Sequence, residues 1–285
     1  MSMDLHKNYL NSLLIQGHSY EEGFFSREDC KGKTFWRSLK SNCRNGDCVI
    51  FLHGTGNDHL FGMYRIFTEL LNQGFDIFTF DIDGHGQQST TYFQKENCQY
   101  ILGKAVEEAK DQVDLIGQTH LMGNSLGGLI ILEGLQKGIE VSSCILLAVP
   151  FNITLGLKAA IAESFSPLYP SYVKSILRWR SDLIPAFGAF NRTNFPLRIQ
   201  NKTSHLDYID VIVEASKSFS WKDNLASLPR TLALFGSLDF IAPMAPWKSF
   251  NTRDITLDEI KGSNHLILPM HPKAIQKVVG FLKKT

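Results

Sequence analysis

Gly123-Asn124-Ser125-Leu126-Gly127 is the stretch of this sequence best suited to chemistry. An apolar run ends at Met122 and a helix-compatible run begins at Ser125. That context predicts a strand turning abruptly into a helix, with the serine at the apex. Strand and helix nearly touch at such a turn, so its neighbours must be small, and Gly123, Gly127 and Gly128 meet that demand. The turn forces the serine into a strained backbone conformation, and the helix N-terminus beneath it offers free N–H groups to developing negative charge. The chemistry this suits is nucleophilic attack by the hydroxyl. It needs a base to take the proton, normally a histidine oriented by a carboxylate, and donors for the charge that develops on the attacked carbonyl oxygen. A glycine-rich turn that happens to carry a serine is the competing reading, and the elements around it decide between the two.

Those elements alternate. Tyr20–Ser26 and Thr34–Leu39 read as a β-hairpin at the edge of a sheet. Cys48–Leu52 is continuously apolar, as expected of a strand buried on both faces, and ends in His53-Gly54-Thr55-Gly56. Leu60, Met63, Tyr64, Phe67, Leu70 and Leu71 then share one helical face, which Gly74 is placed to stop. Phe75–Phe80 is the next strand, ending in Asp81-Ile82-Asp83-Gly84-His85-Gly86, and a helical pattern occupies about Lys95 to Val113. The strand before the serine runs from about His120 to Asn124 and its helix to about Lys137, with Gly138 as the stop. Ser143–Val149, Thr231–Phe235 and Ile255–Ile260 are further strands, and Pro272 opens a final helix carrying Ile275, Val278, Val279 and Leu282 on one face. Strand alternating with helix implies an α/β fold with a mostly parallel, doubly wound sheet, whose chemistry belongs just after the strands.

Between Phe151 and about Ser204 the periodicity weakens. Five of the ten prolines fall from Pro150 to Pro196, and aromatics are dense. The segment reads as a helical cap inserted over the sheet's C-terminal edge, dividing the chain into a core of residues 1–150 and 206–285 and an insertion of 151–205. Trp179, Phe187 and Phe190 are the candidates to line an apolar pocket above Ser125.

Composition narrows the partners. A net charge of +1 over 285 residues argues against nucleic acid or an anionic membrane as the main partner. The five cysteines lack paired metal-ligand spacing and suit a reduced compartment. Met1 to Gln16 lacks an apolar stretch of signal-peptide length and no run approaches a membrane span, so the expectation is a soluble, cytoplasmic protein with no integral membrane segment. No dinucleotide fingerprint, HExxH or paired CxxC is present, and the glycines after His53 lack the Lys-Ser/Thr of a phosphate loop. No metal and no cofactor are expected.

Taken in order, His53-Gly54-Thr55-Gly56, Asp83-Gly84-His85-Gly86, the turn at Ser125, Gly236-Ser237-Leu238-Asp239 with Pro243, and Gly262-Ser263-Asn264-His265 resemble the α/β-hydrolases. Among these the sequence is similar to capped serine esterases and monoacylglycerol-lipase-like enzymes. The resemblance runs from about Cys48 to the C-terminus, excepting the cap. It implies that Asp239 is the acid, His265 the base, and the N–H groups of Thr55 and Leu126 the oxyanion hole. A helix N-cap at a strand end is the alternative for Asp239. His271 is the rival base, with a helix-capping histidine as its bland reading. His53, Asp83 and His85 are expected to shape loops near the site. The activity implied is cleavage of a small-molecule carboxylic ester or thioester with an apolar acyl group. An acyltransferase or C–C bond hydrolase on the same fold, or a non-catalytic ligand receptor, remain alternatives.

Overall fold

The structure is a computed structural model and describes residues 2–26, 32–55, 58–60, 62–83, 85–87, 95–113, 117–151, 217, 222, 228–249 and 254–284, with backbone alone for 2–4 and 95–99. The insertion 151–205, apart from Phe151, and with it Trp179, Phe187 and Phe190, lies outside the described residues.

Eight strands form one sheet: β1 (Ser19–Ser26), β2 (Lys33–Lys40), β3 (Cys48–Leu52), β4 (Asp76–Phe80), β5 (Thr119–Asn124), β6 (Ser143–Leu147), β7 (Thr231–Gly236) and β8 (Ile255–Ile260), in the order β1-β2-β4-β3-β5-β6-β7-β8. β1 and β2 pair antiparallel with each other, β2 pairs antiparallel with β4, and the remaining strands are parallel. The hairpin is therefore at the sheet's edge, as its mixed patterning predicts.

The apolar runs are continuous because both faces of the sheet are covered. Successive side chains point to opposite faces. Ile50 and Leu52 of β3 pack into one cluster with α3 (Lys95–Gln112) and α4 (Leu126–Leu135). Val49 and Phe51 pack into the other with α1 (Ser2–Ile15), α2 (Tyr64–Asn72) and α5 (Pro272–Leu282). α1 is an element the sequence reading did not anticipate. It joins the second cluster through Tyr9, Leu10 and Leu13. The helix after β3 begins at Tyr64, later than its apolar face suggests. Leu60 and Met63 are still buried, but they belong to the turn before it, where the Met63 N–H donates to the Leu60 carbonyl at 3.0 Å.

This topology places the chemistry. From β3 the chain crosses one way to β4 and then back past β3 to β5. The loops leaving β3 and β5 thus diverge to opposite faces and leave a crevice between the strand ends, where open α/β sheets bind ligands. The loop after β3 carries Thr55, and the turn after β5 carries Ser125.

Candidate active site

Ser125 has φ 50° and ψ −116°, and Ala148 is the other non-glycine residue at positive φ among the described residues. That conformation costs an L-residue on the order of 1–3 kcal/mol and persists only where the surroundings enforce it. Here they do: the Ser125 N–H donates to the Leu147 carbonyl at 2.9 Å, and Asn124 Nδ2 donates to the same oxygen at 3.1 Å. A Cβ at Gly123 would lie 2.6 Å from the Gly128 Cα, and one at Gly127 would overlap the Leu52 carbonyl. The small residues are required by this close approach of strand, helix and the neighbouring β3 end.

The structure brings Ser125, His265 and Asp239 into one hydrogen-bonded chain. His265 Nε2 lies 3.0 Å from Ser125 Oγ, and His265 Nδ1 lies 3.0 and 3.2 Å from the two Asp239 oxygens. Because a carboxylate only accepts, Nδ1 carries the proton, and Nε2 presents its lone pair to the serine hydroxyl. Asp239 is buried. Its Oδ1 also accepts the N–H groups of Ile241 at 2.9 Å and Ala242 at 2.7 Å, so the capping-type interaction and the histidine contact coexist. The loops carrying acid and histidine are joined to each other: the Leu238 N–H donates to the Ser263 carbonyl at 2.8 Å and the Gly262 N–H to Ser237 Oγ at 2.9 Å. Asn264 Oδ1 accepts from Leu266 and Ile267 N–H groups at 3.2 and 3.0 Å, setting the turn that aims His265.

Thr55 and Leu126 flank the same crevice. Leu126 is the first residue of α4, where helix N–H groups lack intrahelical partners. Thr55 shares a peptide with Gly54, and all described peptides are trans. His53 Nδ1 donates to the Gly54 carbonyl at 2.8 Å. In a trans peptide the C=O and N–H point opposite ways, so holding that carbonyl against His53 turns the Thr55 N–H the other way. Gly54, Thr55, Asn124, Ser125 and His265 line one cavity. A side chain at Gly54 would place its Cβ 2.9 Å from Asn124 Oδ1 and 3.1 Å from the Ser125 Cβ, so glycine keeps the loop close to the serine.

His53 is fixed in turn. Its Nε2 accepts the Ile82 N–H at 3.1 Å, which requires the neutral ring, and burial holds its pKa below the ordinary histidine value. Asp81 lies beside it, fully buried, accepting the His59 N–H and Nδ1–H at 2.9 and 2.8 Å and the Gln87 N–H at 2.8 Å. Burial alone would raise the Asp81 carboxyl, but its contacts with His59, His53 and the Gln87 N–H together outweigh that and keep it below the usual range. Arg37 Nη1 donates to His59 Nε2 at 2.6 Å and so ties the edge hairpin to this loop. His85 Nδ1 donates to the Asp83 carbonyl at 2.9 Å, and both residues are buried, in keeping with a loop-shaping role. The role of Asn124 and the Arg37–His59–Asp81 chain carried no signal in the sequence, because their partners come from separate strands.

His271, the rival histidine, is the N-cap of α5, accepting the Lys273 N–H at Nδ1 at 3.1 Å. Burial first, then the charges of Lys273 and Arg65, push its pKa down from 6.5 to about 4. His53 and His120 are also lowered by burial. Below pH 6.5 the unfolded chain binds protons that these folded-state imidazoles refuse. Their contribution is therefore complete above pH 6.5 and is lost as pH falls, for His271 down to about pH 4. His271→Asn, which keeps a capping acceptor but does not titrate, should match the parent at pH 8. At pH 5 it should exceed the parent by about 1–2 kcal/mol in urea unfolding. Equal stabilities at both pH values would refute the assignment.

Among the described residues, no group of three or more His, Cys, Asp or Glu side chains could hold a metal ion, and no helix is long and apolar enough to cross a membrane.

The profile of the alpha/beta hydrolase family matches residues 49–279. The chain belongs to that family. It is 25% identical over 210 residues to a Mycoplasma genitalium protein provisionally named esterase/lipase 2, an overlap of 68% of this chain and 72% of the relative. Among solved α/β-hydrolase structures, an esterase of Pyrococcus furiosus superposes with a TM-score of 0.67 at 17% identity, covering 95% of this chain and 93% of that one. An esterase of Exiguobacterium antarcticum gives a TM-score of 0.61 at 19% identity, covering 91% and 98%. These two likenesses are of fold. Within the α/β-hydrolase family, the strand order derived above places Ser125 on the turn after β5 and Asp239 and His265 after β7 and β8.

Proposed function

We propose that this α/β-hydrolase is a serine esterase that cleaves a carboxylic ester or thioester with an apolar acyl group by two-step acyl transfer to water. The observation that carries the reading is the Asp239–His265–Ser125 chain, with its two contacts of 3.0 Å, at the crevice between β3 and β5. Ser125 attacks the carbonyl as His265 Nε2 takes its proton. The N–H groups of Thr55 and Leu126 receive the oxyanion, each worth about 10²–10³ in turnover in sites of this kind. His265 returns the proton to the leaving atom and then activates water. Asp239 holds the ring in the Nδ1–H tautomer and stabilises its charged form. The names of the Mycoplasma and Pyrococcus proteins agree with an ester substrate. On this reading the insertion 151–205 caps the site, and Trp179, Phe187 and Phe190 line the acyl side.

Incubation with a fluorophosphonate probe should label Ser125, and a panel of p-nitrophenyl esters should be turned over repeatedly. Activity as kcat/KM should rise with pH as His265 loses its proton, because the protonated ring cannot accept from the serine. An unlabelled serine together with no multiple turnover on any ester would overturn the proposal and leave a binding protein on a hydrolase fold.

A further inference from the structure

Resting on that esterase reading, we infer that the cavity walled by Met63, Leu266, Pro269 and Met270 beside His265 is the leaving-group site, and that it takes the alcohol of a short, uncharged alkyl ester. The cavity measures about 40 Å³ and reaches Ser125 and His265 at its polar end. Its apolar wall comes from two distant segments. Met63 ends the turn that leads into α2, and Pro269 and Met270 belong to the short 3₁₀ segment Leu268–Met270 that follows the histidine loop. Met63, Pro269 and Met270 are buried, and Leu266 is half-buried.

The assignment to the alcohol follows from the proton. His265 Nε2 takes the Ser125 Oγ proton at 3.0 Å. In the acylation step the bond from Oγ to the carbonyl carbon forms and the bond from that carbon to the alkoxy oxygen breaks. The same proton then passes from Nε2 to the departing oxygen, which must stand within hydrogen-bond reach, roughly 3 Å, of the ring. With the oxyanion directed at Thr55 and Leu126, the group next to His265 is the alkoxy group. Its carbons therefore lie along Leu266, Pro269 and Met270, and the acyl chain leaves the carbonyl on the other side. Water then attacks the acyl carbon, giving a proton to Nε2. The carboxylic acid departs and Ser125 regains its hydrogen.

Size and charge set the class. One water-sized sphere needs roughly 10–15 Å³, so the cavity holds about three to four non-hydrogen atoms, the alkoxy oxygen among them. That suits methyl to propyl alcohols. Among the described residues that line it, His265 is the only titratable side chain, so a phosphate-bearing leaving group such as coenzyme A meets no complementary charge from them.

The test uses the full chain and two ester series, one varying the alcohol of butyrate from methyl to hexyl, the other varying the acyl group of ethyl esters, with butyryl-coenzyme A alongside. In the parent, kcat/KM should hold or climb to propyl and fall at butyl and hexyl. Butyryl-coenzyme A should be the poorer substrate. Met270→Ala should raise the hexyl-to-ethyl ratio about tenfold or more, since each methylene admitted to an apolar site adds close to fourfold. Leu266→Ala, at a half-buried position that tolerates truncation, should move it the same way. The acyl profile should not move in either variant. Misfolding cannot produce a gained preference for the longer alcohol. A shift confined to the acyl series would assign the cavity to the acyl chain and overturn the inference, as would a flat alcohol profile or a preference for the thioester. In all three cases ester turnover and Ser125 labelling survive, so the esterase reading stands. A chain that neither labels at Ser125 nor turns over any ester removes both.

Discussion

Ser125→Ala should lower ester turnover by about 10⁵-fold or more while the protein remains folded. Ser125→Gly should be equally inactive and more stable. The hydroxyl is the only atom the alanine variant loses, and the oxyanion donors stay in place, so a residue of catalysis above the uncatalysed rate survives. Stability separates the two variants. Alanine retains the Cβ that makes φ 50°, ψ −116° unfavourable, whereas glycine adopts that region freely. Relief of strain, on the order of 1–3 kcal/mol, outweighs the roughly 0.5–1 kcal/mol of chain entropy that glycine adds to the unfolded state. Glycine should therefore lead alanine by about 1 kcal/mol in urea unfolding. Wild-type turnover in Ser125→Ala would remove the proposed function. Glycine less stable than alanine would show that the turn is not strained.

The turn was legible in the sequence because its requirement is local. Two glycines flank the serine at fixed offsets since β5, α4 and the end of β3 approach too closely for any side chain. Strands buried on both faces announce themselves as apolar runs, and Asp239 stands where one such run, β7, ends; His265 follows the mixed edge strand β8. Periodicity reports one face of one element and nothing about its partner. α1 went unread for that reason: Tyr9, Leu10 and Leu13 make a helical face only because α2 and the sheet lie beneath it. The boundary of α2 was misjudged from the same cause, since Leu60 and Met63 are buried by tertiary packing and not by belonging to the helix.

The walls of the cavity were invisible for a further reason. Met63 and Met270 meet because β3 lies centrally in the sheet while β7 and β8 are added on its far side, so the segments after β3 and β8 converge over the strand ends. No spacing in the sequence encodes that convergence. The same holds for Arg37, His59 and Asp81, which come from β2, from the loop after β3 and from the end of β4. Chemistry at one turn can be read along the chain; the groups that aim it or set its selectivity are assembled across the sheet.

Asp239→Asn should reduce kcat by about 10⁴-fold with KM nearly unchanged, and the hydrogen bonds of the acid loop dictate why. Asp239 Oδ1 accepts the N–H groups of both Ile241 and Ala242. An asparagine must keep its amide oxygen at that position, because turning the amide would set its NH₂ against two donors. The NH₂ then occupies the Oδ2 position, 3.0 Å from His265 Nδ1. An amide nitrogen only donates, and the retained oxygen, 3.2 Å from Nδ1, already accepts two backbone N–H groups, so Nδ1 turns acceptor and the ring proton moves to Nε2. The nitrogen facing Ser125 Oγ then carries a hydrogen and cannot take the serine's. Stability should change by less than about 1 kcal/mol, because both backbone bonds and the packing remain. Asp239→Ala differs: it frees the Ile241 and Ala242 N–H groups in a buried loop, and should cost about 1–3 kcal/mol in addition to activity. Nitrogen NMR of the His265 ring in the asparagine variant reads the tautomer directly and should find the proton on Nε2. Turnover within about tenfold of the parent, with the proton still on Nδ1, would show that the carboxylate does not orient the base.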